Sequence, residues 1–170
     1  TYLGTTGLQY NIIQYQKEWL VDELINTTGQ FRSVIFDNEY NLLSFSPPKS
    51  TKFNKKFLEY NNIHVEEFVE GTMINMFYDK RLNDWEIATR STVGGNVKFY
   101  RHSPETFRQM FFSVFESCGL NKNELKKDHC YSFILQHMGN RIVVPFEKNT
   151  LYLADGYKLG KNMFVGPSYD

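Results

Sequence analysis

The sequence predicts an α+β domain of largely antiparallel sheets with few helices. Three observations carry that expectation. Short runs rich in Val, Ile, Leu, Phe and Tyr recur along the chain, with turn residues between them. The clearest helical pattern, at residues 103–118, stands among them as a minority element. No internal repeat, low-complexity tract or Pro/Gly/Ser-rich linker divides the 170 residues, so one domain spanning 1–170 is expected.

In chain order, the stretch through Leu8-Gln9-Tyr10-Asn11-Ile12-Ile13 reads as a strand, and residues 17–26 as a short helix closed by Gly29. Residues 31–36 and 42–45 read as strands joined at Asp37-Asn38-Glu39, a hairpin signal. Ser46-Pro47-Pro48 breaks the pattern and opens a loop. Residues 72–79 and 85–91 form a second hairpin-like pair. The first of these is apolar at nearly every position, as a strand buried on both faces would be. In the helix, Ser103 suits the N-cap and Pro104 the first helical position. Phe107, Met110, Phe111, Val114 and Phe115 form the packing stripe, and Gly119 fits the stop. Residues 131–137, 141–145 and 151–157 complete the set as three strands.

Composition narrows the function classes. The chain is 41% hydrophobic and 22% charged, which excludes a disordered segment. Nineteen Lys+Arg balance nineteen Asp+Glu, so net charge gives no argument for nucleic acid. A local basic run remains at Lys49, Lys52, Lys55 and Lys56, either a phosphate-binding strip or a solvated face. Fifteen Phe, eleven Tyr and two Trp serve a β-rich core more often than base stacking; Tyr78 and Trp85 are expected to pack, with stacking on a base as the other use. Cys118 and Cys130 form no C-x-x-C, and four scattered His give no zinc pattern, so two free thiols in a reducing, cytoplasmic compartment are expected. No apolar run reaches the roughly 18 residues of a membrane span. No paired-carboxylate spacing, Ser-His-Asp arrangement or P-loop is signalled, since Gly94-Gly95 lacks the following Lys-Ser/Thr.

Five segments, in order, carry a resemblance. They are Phe31-Arg32-Ser33-Val34-Ile35, the loop Ser46-Pro-Pro-Lys49-Ser50-Thr51-Lys52-Phe53-Asn54, Phe68-Val69-Glu70-Gly71-Thr72-Met73-Ile74, the strand centred on Thr89-Arg90-Ser91, and Phe133-Ile134-Leu135-Gln136-His137-Met138-Gly139-Asn140-Arg141-Ile142-Val143. Together they resemble the nucleotidyltransferase (adenylation) core of RNA ligases of the phage T4 type, and ligase-like proteins of large DNA viruses. The third segment resembles the K-x-D-G motif, the fourth T-R-G-S, the fifth F-E-x-x-x-P-x-N-R-I-V.

That resemblance implies a ligase-like core, ATP and Mg2+ as cofactors, RNA and nucleotide as partners, and a virus-encoded origin. In the family a lysine amine attacks the α-phosphate of ATP, and the AMP then passes to an RNA 5′-phosphate. Arg32, Lys52, Glu70, Arg90 and Arg141 fall on positions implied to bind nucleotide or phosphate. Arg90 is read as a phosphate contact or a strand-surface charge, and Arg141 as a carboxylate partner at a turn. His137 is given a hydrogen-bonded structural role.

Two positions depart from the pattern. The nucleophilic lysine falls on Phe68, and the glutamate of F-E falls on Ile134. Lys49 and Lys52 are then the candidate replacement nucleophiles. The family's closing K-x-K strand has no counterpart before Asp170, and a chain starting at Thr1 is expected to be a fragment or processed product. Three readings follow: an RNA ligase using a displaced lysine, a catalytically inactive nucleotide- or RNA-binding pseudoenzyme, and a ligase-derived structural assembly protein with protein partners.

Overall fold

The computed structural model describes residues 2–4, 6–60, 63–101, 103–140 and 145–160. The expected class holds. Eight strands, β1 (Tyr2–Leu3), β2 (Gln9–Ile13), β3 (Val34–Asp37), β4 (Leu42–Phe45), β5 (Thr72–Asp79), β6 (Asp84–Ala88), β7 (His129–Gln136) and β8 (Thr150–Lys158), accompany one α-helix, α1 (Phe107–Ser117), among the described residues. They form two four-stranded sheets, ordered β1-β2-β3-β4 and β6-β5-β7-β8, antiparallel at every pairing.

The central strand β5 explains the arrangement. Ile74 and Met76 face α1 and join Phe107, Met110, Phe111, Val114, Phe115, Phe133 and Leu135 in one core. The alternate residue Phe77 faces the first sheet and meets Tyr10, Ile35, Ala88, Val93, Cys130 and Tyr157 in a second. Strand periodicity of two thus serves two apolar layers at once, which is why the segment reads as continuously apolar.

Several local expectations are corrected. Residues 17–26 do not form one helix but 3-10 turns at Lys17–Trp19 and Asp22–Leu24, followed by another at Thr28–Gln30. The first two turns bury nothing, and Trp19 is 77% exposed, so no apolar face is available to offset helix nucleation. The major helix starts three residues after Pro104 because Thr106 and Gln109 form a reciprocal capping box. Ser103 instead donates its amide to the Tyr100 carbonyl. The strand expected over 85–91 ends at Ala88, where Thr89 and Thr92 close a turn. The expected strand at 141–145 falls, for residues 141–144, outside the described residues.

The β3–β4 hairpin is confirmed. One Asp37 carboxylate oxygen accepts the Glu39 and Asn41 amides, and this holds Tyr40 at φ 63°, a backbone region that bulky residues avoid. Both cysteines are free, as expected; Cys130 is buried, and burial pushes its thiol up to about 11, which makes it a poor nucleophile. Among the described residues, no helix is long and apolar enough to cross a membrane.

Candidate functional site

The candidate site lies at the N-terminal end of β5, where Ser46 meets Asn75 and Tyr15 meets Arg90 between the two sheets. Residues 14–15, 31–33 and the loop 46–54 flank β2, β3 and β4 of the first sheet; Gly71 and Arg90 flank β5 and β6 of the second, beside the end of β7. A buried polar chain sets the floor. The Ser46 amide donates to the Ser33 carbonyl at 2.9 Å, Asn75 Nδ2 donates to Ser46 Oγ at 2.7 Å, and Ser132 Oγ donates to Asn75 Oδ1 at 2.8 Å. Asn75 and Ser132 are directly opposed across β5 and β7 and are each 1% exposed. Such a network, satisfied at each of these contacts, fixes the loop that begins at Ser46 to the middle of the second sheet.

Arg90 spans the gap. Its Nη2 donates to the Tyr15 carbonyl at 2.7 Å, and its guanidinium lies 5.0 Å from the Tyr15 ring centroid. Tyr15 is held in turn by its amide, which donates to the Phe31 carbonyl at 2.7 Å, next to half-buried Arg32. Arg90 is therefore no free strand-surface charge. Its Nε is buried without a hydrogen-bond partner, and so are Glu70 Oε1, Gln14 Oε1, Ser33 Oγ and Asn140 Oδ1. Buried polar atoms left unpaired are expensive; Ser44 Oγ, beside Cys130, and Thr150 Oγ1 share that state, and the five named first lie on segments that flank the N-terminal end of β5 and the C-terminal end of β7.

Gly71 has a geometric reason. At φ +156° a Cβ would lie 2.6 Å from Ile134 Cγ2 and 2.7 Å from the Leu135 carbonyl oxygen, so β7 approaches too closely for any side chain. Gln136 Nε2 donates to the Glu70 carbonyl at 2.9 Å, and Asn140 Nδ2 to Thr72 Oγ1 at 2.9 Å, closing this edge. Ile134, where the family pattern has glutamate, packs against that glycine instead of presenting an oxygen.

The remaining expected residues are placed unevenly. Lys49 and Lys52 are exposed on the 46–54 loop, which has no regular structure; the Lys49 amide donates to the Gly29 carbonyl at 3.0 Å, so its backbone is pinned. Lys55 and Lys56 are also exposed, in a 3-10 turn. Phe68 is 95% exposed on the stretch 63–70, which has no regular structure, so its ring fills no pocket. Arg141 lies outside the described residues. Tyr78 and Trp85 pack edge to face at 5.6 Å near the far end of β5, away from this cleft. His137 is structural: its Nδ1 accepts the Gly139 amide, and its Nε2 is 3.7 Å from Glu105.

Tyr15, Ser46, Asn75 and Ser132 were not singled out from sequence. Asn75 had a readable signal, as the lone amide in an otherwise apolar strand interior. Asp155, opposed to Ser132 in register, is a further missed acid. Burial raises its carboxyl above the usual range, Glu66 adds to that, and the Tyr157 hydroxyl, which donates to it at 2.9 Å, opposes it. Among the described residues no three His, Cys, Asp or Glu side chains are grouped to hold a metal ion. A recess of about 860 Å3 opens at the opposite end of β5, but its acids are engaged: Asp37 in its turn, Asp79 with Arg81, Asp128 with His129.

Comparison with known proteins gives one distant likeness. The chain is 27% identical over 142 residues to an RNA ligase of Rhodothermus phage RM378, covering 77% of this chain and 32% of that ligase. The chain thus spans about a third of the length of the curated relative it matches. No family model and no solved structure matches.

Proposed function

We propose that the cleft is the nucleotide site of an RNA ligase-like domain that binds ATP and an RNA end without forming an adenylyl adduct at position 68. The observation that carries the reading is Arg90, stretched between the sheets with a buried Nε still unpaired beside the Tyr15–Arg32 segment. The similarity to a phage RNA ligase supports it. In this reading Arg90, Arg32 and Lys52 neutralise phosphate charge, and the unpaired Glu70 oxygen accepts a hydroxyl or water from the ligand. Magnesium fits best as a cation carried in on the phosphates, since among the described residues Glu70 supplies the one buried carboxylate oxygen without a partner and Ile134 supplies none.

A second reading is favoured by one observation, the pinned backbone of Lys49. There Lys49 Nζ loses a proton to solvent and attacks the α-phosphorus; a P–N bond forms and the P–O bond to pyrophosphate breaks. Incubation with α-labelled ATP and magnesium, resolved on a denaturing gel beside an equilibrium ATP titration, separates the readings. Binding with no covalent band is the expected result. A band that vanishes in Lys49→Ala would transfer the conclusion to the displaced lysine. Neither a band nor affinity for ATP, GTP or RNA would overturn both and leave a ligase-derived assembly component.

A further inference from the structure

The nucleotide cleft does not account for the segment that leads into α1. Between Glu86 and Glu105 the chain carries no carboxylate, while Arg90, Lys98 and Arg101 fall there, in a molecule whose charges balance overall. Of the flanking acids, Glu86 is buried and paired with Arg108, and Glu105 faces His137. Residues 96–101 are all exposed, and the aromatic pair Phe99 and Tyr100 is 46% and 49% exposed. Their rings meet edge to face at 4.6 Å and 83°, a fixed corner with open faces.

The segment is anchored, not trailing. The Phe107 amide donates to the Val97 carbonyl at 3.0 Å and the Arg108 amide to the Gly95 carbonyl at 2.9 Å, which ties the segment's first half to the start of α1, and the Ser103 amide closes a local turn on the Tyr100 carbonyl at 3.0 Å. Further along, Glu105 contacts His137 just past the end of β7, the edge where Gln136 holds the Glu70 carbonyl. Exposed aromatic faces interleaved with cations, on a backbone already ordered, match what a single polynucleotide strand requires: bases stack on rings and phosphates meet the cations.

We infer that Phe99 and Tyr100, flanked by Lys98 and Arg101, form a stacking platform for single-stranded RNA leading to the cleft. This extends the proposed RNA-end reading by assigning where the strand lies, but it needs no chemistry at the cleft. The test is fluorescence anisotropy of a labelled oligouridylate of about 12 nucleotides, within the site sizes of single-strand binders, measured across salt concentrations with the full chain. Phe99→Ala with Tyr100→Ala should weaken binding at least about tenfold and leave the salt dependence unchanged. Lys98→Ala with Arg101→Ala should instead flatten the logarithmic salt slope by about 1.4, two phosphates' worth on a single strand.

Circular dichroism and ATP titration of the same variants serve as controls and should match the wild type. ATP binding without oligouridylate binding would overturn the platform while sparing the cleft. Oligouridylate binding that both double variants leave intact would overturn it as well. RNA binding that depends on the platform in a protein without ATP affinity would uphold it and remove the nucleotide reading. An equal affinity for oligodeoxyuridylate would contradict RNA as the occupant.

Discussion

The two ends of β5 treat polar groups in opposite ways. At its C-terminal end, Asp79 is 1% exposed yet fully engaged: the Tyr10 hydroxyl donates to it at 2.8 Å, the Arg81 amide at 2.8 Å, and the Arg81 guanidinium through Nε and Nη2. Arg81 continues to the Gln9 carbonyl and Asn38 and lies over the Tyr10 ring, so one cluster latches the sheets together. At the N-terminal end, Arg90 also joins the sheets, but it leaves Nε unpaired, and Glu70, Gln14, Ser33 and Asn140 each leave a buried oxygen unpaired. One end has spent its hydrogen-bonding capacity on stability. The other keeps it in reserve, which is the expectation for a binding site in a fold otherwise held firmly.

Substitutions at the two ends should therefore behave differently. The largest effect is expected from Asp79→Ala, which strands a guanidinium and a buried phenol. About 3 kcal/mol should be lost in urea unfolding, toward the low end for a broken buried pair because a quarter of the Arg81 side chain stays exposed. The same latch sets the pH response. Burial alone would raise the Asp79 carboxyl, but hydrogen bonds from Arg81 and Tyr10 outweigh it and hold it below the usual value. A depressed carboxyl stabilises above its unfolded pKa, so stability should fall as pH drops below about 4. Burial and then the Asp79 contact raise the Tyr10 phenol, so its share should be lost only as pH climbs above about 10. In Asp79→Ala the acid limb should disappear and the alkaline limb should shrink but persist, because burial of Tyr10 remains; an unchanged acid limb would break the comparison.

Next in size is Asn75→Ala, which leaves Ser46 and Ser132 without their shared partner and should cost about 2 kcal/mol. Arg90→Ala should cost about 1 kcal/mol of stability, the worth of one hydrogen bond to Tyr15, because the guanidinium was only partly engaged. A loss as large as that of Asp79→Ala would mean the cleft end is a second latch. The smallest effect belongs to Phe68→Ala: at 95% exposure it should change stability by no more than about 0.5 kcal/mol.

The fold was legible where one periodicity governed a whole element. The α1 stripe and the doubly apolar β5 needed no tertiary information. Residues 17–26 carry helical propensity but offer no face to bury, so they fold as separate 3-10 turns. The helix start misled because Ser103-Pro104 and Thr106-x-x-Gln109 are both valid starts, and the reciprocal bonds of the second prevailed.

For the site, motif order points to Arg32, Glu70, Gly71 and Arg90; the chain sets Glu70 and Gly71 against β7 and Arg90 against Tyr15. It could not reveal Tyr15 under Arg90 or the Ser46–Asn75–Ser132 chain, since both are pairings between segments 29 to 75 residues apart. Phe68 changes meaning too. It marks the absence of a lysine in the sequence, but its ring points to solvent and plugs nothing.

The central claim, that the cleft end is the nucleotide site and the latched end is not, is tested most directly by titrating ATP into three proteins. These are the wild type, Arg90→Ala, and Lys80→Ala beside the latch. The expected result is saturable binding by the wild type, weakened about tenfold or about 1.4 kcal/mol by Arg90→Ala, and untouched by Lys80→Ala. Binding that ignores Arg90, or that weakens with Lys80, would contradict the account.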